Sequence, residues 1–277
     1  MKIVETINEM REIRPRLAEP VGFVPTMGYL HEGHISLVKE ARAHSASVIA
    51  SIFVNPTQFG PSEDFKGYPR DTKRDLEFLE KEKTDIVFIP QATEMYPPRF
   101  DTWVSVGNLA KRLEGASRRG HFKGVTTVVA KLFNIVEPTS AFFGQKDAQQ
   151  ALVIKKMVTD LDMDINVVVL PTIRESDGLA MSSRNTYLKP QERKSALVLY
   201  QSLKLAEKLC SEGIKDASFI REAIFTLLKK EPLAKVDYVS VADSETLEEL
   251  ETVTPQALVS LAVKIGSTRL IDNIVLK

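Results

Sequence analysis

Two histidines, His31 and His34, stand three residues apart behind an apolar run and a small-residue turn. Val21, Phe23 and Val24 give way at Pro25, Thr26-Met27-Gly28 turns the chain, and Ile35, Leu37, Val38 and Ala41 then recur at helical spacing. The pattern predicts a buried strand, a tight turn and a helix whose first turn presents both imidazoles on one face. Backbone N–H groups and the dipole at a helix start favour an anion and disfavour a cation. The imidazoles are therefore expected to be neutral and to donate hydrogen bonds to phosphate. A zinc site would need a further His, Cys or carboxylate ligand, and none stands beside the pair. The plainer alternative is two surface or capping histidines.

A second stretch, Gly178-Leu179-Ala180-Met181-Ser182-Ser183-Arg184-Asn185, sets two hydroxyls next to a guanidinium. Hydroxyls donate short hydrogen bonds and Arg grips oxyanions bidentately, so such a loop can wrap a polyphosphate. Alone, the same residues are more often a solvated turn.

The elements that would carry these residues follow from periodicity. A helical segment (Ile3, Ile7, Met10, Ile13) leads into the opening strand. After the His helix, Ser47 to Val54 is apolar nearly throughout, as a strand covered on both faces should be, and it ends in Asn55-Pro56-Thr57-Gln58. A helix from Thr72 to Lys83, a strand from Asp85 to Pro90 and a helical stripe from Val125 to Val136 come next. A short strand, Ala141 to Phe143, then meets Gly144-Gln145-Lys146-Asp147, and a helix to about Asp160 precedes a strand from Ile165 to Leu170. This alternation implies right-handed crossovers and a Rossmann-like α/β fold with a doubly wound parallel sheet. After Pro171 the pattern changes. A polar stretch from Thr172 to Arg184 is followed by two long helices (190–211 and 216–230) and three β-rich runs (236–241, 257–265 and 269–276). Gly266-Ser267-Thr268 turns between the last two runs. That is a smaller C-terminal α+β domain, and the expected division is 1–175 and 176–277.

Composition narrows the function. The 277 residues carry 37 Lys+Arg and 37 Asp+Glu, so no net field points to nucleic acid or membrane. No signal peptide or membrane-length apolar run is visible, and the lone Cys210 reads as a small core residue, so a cytoplasmic protein is expected. The Walker P-loop and the dinucleotide fingerprint are both absent. In a parallel sheet, ligands sit beyond the carboxyl ends of the strands, where this chain places its unusual polar residues.

Together the His pair and the Ser-Ser-Arg loop resemble the H-x-G-H and K-M-S-K-S-like signatures of the nucleotidyltransferase superfamily. PTMGYLHEGH, FVNPTQF, LEGASRRGHFKGV, FFGQKDAQQ and GLAMSSRN, in that order, resemble the pantothenate synthetase (pantoate–β-alanine ligase) family from about residue 3 to about 275. The resemblance implies ATP as a substrate, with the Mg²⁺ that rides on it, and a pantoyl adenylate that β-alanine converts to product with release of AMP. It also implies a homodimer. The second signature reads Met-Ser-Ser-Arg without the leading Lys of the aminoacyl-tRNA synthetases, which counts against that relative.

Carried over by motif, His34 is implied as the catalytic proton donor and His31 as a second phosphate donor, with Lys146 and Arg184 neutralising charge. The implied nucleotide site comprises Met27, Gly28, Tyr29, Leu30, His31, Glu32, Gly33 and His34; Gly144, Gln145, Lys146 and Asp147; and Ile173, Met181, Ser182, Ser183 and Arg184. Gln58 and Gln150 would grip pantoate with Asn55 beside them, and Arg118 and His121 would reach toward the substrate end or β-alanine. Tyr68 and Asp75, in the looser YPRDTKRD, are further candidates for lining the site or helping with the metal. The sequence assigns the metal to no particular carboxylate. The alternatives are a small cytidylyl- or adenylyltransferase of the same superfamily, or a nucleotide-binding regulator without turnover.

Overall fold

The computed structural model describes every residue except Ser62 and Lys277, the latter being the last residue of the expected second domain. The chain forms two compact units, residues 1–145 with 149–171, and residues 146–148 with 172–277.

The first unit is a six-stranded sheet of β1 (Lys2–Val4), β2 (Val21–Thr26), β3 (Ser47–Ile52), β4 (Ile86–Phe88), β5 (Ser140–Gly144) and β6 (Asn166–Leu170), ordered β1-β4-β3-β2-β5-β6. Every pairing is parallel. Its helices are α1 (Ile7–Ile13), α2 (Glu32–His44), α3 (Thr72–Lys81), α4 (Ala92–Met95), α5 (Glu114–Ser117), α6 (His121–Val136) and α7 (Ala148–Asp160).

Successive side chains of a strand point to opposite faces, and here both faces are apolar. Phe23, Ile49, Ile86, Phe88, Ala141 and Phe143 pack with Met10 of α1, the stripe of α6 and Val153, Ile154 and Met157 of α7. The alternate residues, Val24, Val48, Ala50, Val87 and Phe142, pack with Leu37, Val38 and Ala41 of α2 and Leu79 of α3. This is why β3 is buried at every position and why its sequence shows no polar alternation. From β2 the chain builds outward through β3 and β4 on one side, then returns to add β5 and β6 on the other. The strand order therefore switches between β2 and β5.

The second unit holds α8 (Pro190–Ser195), α9 (Leu197–Ser211) and α10 (Ala217–Lys229). These pack on an antiparallel sheet of β7 (Ala234–Ala242), β8 (Leu258–Ile265) and β9 (Thr268–Val275).

Some expectations change. The opening helix does not include Ile3. Lys2–Val4 is an edge strand on β4, because three residues suffice to extend a parallel sheet, and the helix starts only at Ile7 behind the Thr6 cap. The long helix expected over 190–211 breaks at Ala196 into α8 and α9. Residues 172–184 are more ordered than a plain polar loop. Arg174 and Ala180 bridge, Met181 N–H donates to the Ile173 carbonyl at 3.0 Å, and Glu175 N–H donates to the Leu179 carbonyl at 2.8 Å.

Candidate active site

The turn after β2 is built from the sheet outward. The Thr26 hydroxyl donates to the Ser51 carbonyl of β3 at 2.7 Å and accepts from Gly28 N–H at 3.1 Å, which starts the turn inside the sheet's own hydrogen bonding. Gly28 (φ +80°) and Tyr29 (φ +52°) then both take the left-handed conformation. That places the Tyr29 and Leu30 N–H groups on the two oxygens of the Asp75 carboxylate, each at 2.7 Å. Asp75 lies on α3 and is 1% exposed; burial pushes its carboxyl above the usual carboxylate range, the Leu30 and Tyr29 amides and Arg74 pull the other way, and Asp71 adds to the rise. Arg74 donates to the Leu30 carbonyl at 3.2 Å and lies over the Tyr29 ring, 5.2 Å from its centroid. A cavity of about 220 Å³ opens beside this turn, between Met27, Tyr29, Phe53, Arg70 and Asp75.

His31 is the N-cap of α2 rather than its first helical residue. His31 Nδ1 accepts from Gly33 N–H at 3.1 Å, and His34 Nδ1 accepts from His31 N–H at 3.3 Å. The rings face each other with centroids 4.1 Å apart. A nitrogen that accepts a backbone N–H carries no proton, so both rings are the Nε2–H tautomer. The capping alternative is thus realised on the Nδ1 side of each ring, while the Nε2 side has the donor chemistry expected of a phosphate contact.

The loop after β3 is equally determined. Asn55 accepts from Thr57 N–H, from the Thr57 hydroxyl and from the Tyr96 hydroxyl, and it donates to the Gly124 carbonyl and to Gln58 Oε1, both at 3.1 Å. Its amide is saturated by partners within the protein. Gln58 in turn donates from Nε2 to Met27 Sδ at 3.0 Å, which ties this loop to the His turn.

Arg118 and His121 form a chain of bonds. Arg118 is held by Glu63 through two bonds, 2.6 and 2.9 Å, and faces His121 Nε2 at 3.0 Å, while His121 Nδ1 meets the Gln58 carbonyl at 2.9 Å. Despite partial burial, Arg118 draws the Glu63 carboxyl down to about 2. Burial, aided by the Arg118 charge, lowers His121 to about 4, so its ring is neutral. Both His121 nitrogens are engaged within the chain, one by Arg118 and one by the Gln58 carbonyl.

Of the adjacent glutamines, Gln149 is buried and spends its amide on Leu109, Arg112 and Glu114, whereas Gln150 is only part-buried. Gly144 and Gln145 close β5 at the switch point. In the second unit, Lys146 Nζ lies 3.8 Å from Asp147 and its carbonyl accepts from Asn273 Nδ2 at 2.9 Å. Ser182 caps the 3-10 turn Ser183–Tyr187, its hydroxyl accepting from Arg184 N–H at 3.3 Å, and Ser183 is buried. Arg174, next to Ile173, forks onto Asp272 at 2.6 and 2.9 Å.

Sequence reading passed over Glu63, Thr26 and the Arg174–Asp272 pair, and gave Asp75 only a loose place. A signal for Asp75 was present: it stands four residues before Leu79, on the buried stripe of its helix. Among the described residues, no group of three or more His, Cys, Asp or Glu side chains is arranged to hold a metal, and no helix is long and apolar enough to cross a membrane.

A doubly wound sheet with paired imidazole donors at its switch point defines an α/β protein of the nucleotide-binding class. The family model described as pantoate-beta-alanine ligase matches residues 2–275. Pantothenate synthetases of Roseiflexus sp. (strain RS-1) and Thermotoga neapolitana are 57% and 56% identical, over the full length of both chains in each case. The crystal structure of pantothenate synthetase from Thermus thermophilus superposes with a TM-score of 0.96 at 47% identity, covering 99% of each chain. That of the Francisella tularensis pantoate-beta-alanine ligase, complexed with beta-gamma ATP and beta-alanine, reaches 0.82 at 35% identity, covering 99% of this chain and 97% of that one. The chain belongs to the pantoate-beta-alanine ligase family and is an enzyme of the ligase class.

Proposed function

We propose that the chain condenses pantoate with β-alanine at the expense of ATP, through an enzyme-bound pantoyl adenylate. A pantoate carboxylate oxygen attacks the α-phosphorus and pyrophosphate leaves; the β-alanine amine then attacks the acyl carbon and AMP leaves. The observation that carries this reading is the pair of stacked Nε2–H imidazoles, fixed by their Nδ1 caps where the strand order switches. Such donors stabilise charge developing on phosphate without bringing a cation to a helix start.

In this reading His34 donates to the phosphate oxygens in the transition state and His31 stands beside it. Gln58 and Gln150 hold pantoate, with Asn55 and His121 fixing Gln58 and Arg118 held in the same chain of bonds. Met27, Gly28, Gly144 and Gln145 border the nucleotide, and Asp147 faces the ribose. Lys146, Ser182, Ser183 and Arg184, from the second unit, meet the phosphates, and that unit serves as a lid. Magnesium arrives on the nucleotide as MgATP, with phosphate oxygens among its ligands. A homodimer in the cytoplasm completes the proposal, and light scattering in solution tests the assembly.

The deciding experiment incubates enzyme, ATP and Mg²⁺ with pantoate, with and without β-alanine. Pyrophosphate release needing only pantoate, and AMP release needing both, is the expected result; nucleotide retained on the product would mean a transferase instead. His34→Ala is expected to abolish single-turnover pyrophosphate release while the protein stays folded. Near-normal release from that variant removes His34 from the chemistry.

A further inference from the structure

We propose that Asp75 is a positioning residue of the active site, its carboxylate setting where His31 and His34 stand by holding the Tyr29–Leu30 turn. The left-handed conformation is costly for Tyr29, which lacks the freedom of the glycine before it. The conformation does, however, turn two successive N–H groups the same way, into a cradle for an anion. Asp75 supplies that anion from the first turn of α3, one oxygen to each amide at 2.7 Å. Arg74 closes the other side through the Leu30 carbonyl and the Tyr29 ring. Leu30 is fully buried and His31 caps α2 immediately after it, so little slack separates the clamp from the two imidazoles. Without the carboxylate, the turn loses the acceptor of both its amides, Tyr29 relaxes toward negative φ, and the cap that fixes both His tautomers moves with it.

The charged groups acting on Asp75 are Arg74, which favours the anion, and Asp71, which opposes it; Arg70 lines the same cavity. The facing segment brings the Tyr29 and Leu30 amides, with Tyr29, His31, Glu32 and His34 as its own titratable groups. Burial raises the Asp75 pKa, so protonation begins above the usual carboxylate range and one oxygen then ceases to accept an amide. A raised carboxyl pKa also means that protonation favours the folded chain, so acid releases this clamp without unfolding the protein through it.

The effect on rate rests on the phosphate-donor reading of the histidines; the effect on the turn does not. In the full-length enzyme, Asp75→Asn is expected to lower kcat about 10²-fold with KM for ATP little changed, the usual cost of misplacing a group by about an ångström. The variant should also lose the part of the acid limb of kcat that belongs to the carboxylate, which a merely structural role would leave in place. A kcat within about two-fold of wild type with the acid limb intact would overturn the proposal. Should the variant fail to fold, wild-type hydrogen exchange decides. Protection of the Tyr29 and Leu30 amides should fall on acidification while that of Val24 and Ala50 holds, and constant protection at all four would sink it. If His34→Ala keeps pyrophosphate release while the two amides respond to acid, the phosphate reading fails and the clamp stands.

Discussion

The turn after β2 and the 172–184 segment are each tied to their own unit by one buried carboxylate, and the two ties differ in kind. Asp75 accepts two backbone amides of a distant turn, whereas Asp272 accepts the fork of one guanidinium, Arg174, besides the N–H of its neighbour Asn273. An acceptor on consecutive amides fixes φ and ψ at the residues it holds, and the catalytic candidates follow within one to four positions. A fork on a side chain fixes the stem of a loop. Arg174 also lies over the Tyr200 ring at 4.8 Å, donates to the Gly178 carbonyl at 3.1 Å, and pairs with Ala180, two residues before Ser182. One tie sets the backbone of a turn directly, and the other pins the stem of a hairpin through a side chain. Preorganised donors require the first.

The comparison is broken most forcefully by removing the fork. Arg174→Met leaves the Asp272 carboxylate, 2% exposed, without its cation, and loss of one partner of such a pair costs about 3–5 kcal/mol. Urea unfolding should register that loss, and hydrogen exchange should place it at β8 and β9 while leaving β2 and β3 protected. A loss below about 1 kcal/mol would mean that the pair behaves as a surface bridge and does not anchor the segment.

Acid sharpens the contrast from the other side. His121, in the first unit, has its pKa lowered from 6.5 to about 4, so the unfolded chain binds the proton more readily across that window. Stability is therefore present above pH 6.5 and is lost as pH falls toward 4, by at most about 1.4 kcal/mol per pH unit. Glu63, with its folded value near 2, keeps its contribution down to about 4.5 and loses it only below that. Asp75 works in the opposite sense, gaining stability on protonation. His121→Gln should flatten the slope of unfolding free energy between pH 4 and 6.5. An unchanged slope would show that the His121 chain of bonds is not what couples this unit to acid.

Why was so much of this fold readable, and so little of what holds the site? The parallel sheet announced itself because β2 and β3 are apolar on both faces, and each is followed at its carboxyl end by polar residues with an evident chemical use. The His pair was visible because strand, turn and helix are contiguous in sequence. Its support was not, because the partners are distant: Asp75 reaches back 45 and 46 residues to Leu30 and Tyr29, Glu63 reaches 55 to Arg118, and Arg174 reaches 98 to Asp272. A charged residue in a helical pattern looks like surface until the apolar stripe beside it is counted. The 172–184 hairpin was hidden for another reason. Its bridge is a single pair, too short for any alternation to show, and its order derives from Arg174 rather than from strand propensity.

The smallest effect in free energy is also the most discriminating. Gly28 and Gly178 both sit at positive φ, +80° and +98°, one in each of the two loops. An added methyl costs about 1–2 kcal/mol at either position from the left-handed backbone alone. The surroundings then separate them. At Gly178 a Cβ would fall 2.0 Å from the Tyr200 ring that Arg174 covers, so the substitution strikes the anchor itself and should add a clear further loss of stability. At Gly28 it would fall 2.9 Å from Ile52 and 3.0 Å from the Asp75 carboxylate, a contact relieved by a few tenths of an ångström. That shift is small for folding but is directed at the carboxylate oxygen that holds Tyr29 N–H. Gly28→Ala should therefore lose more activity than stability, and Gly178→Ala more stability than activity, measured by initial rate and urea midpoint on the same preparations. If both variants lost the two in equal proportion, the distinction between a backbone tie and a side-chain anchor would have no basis.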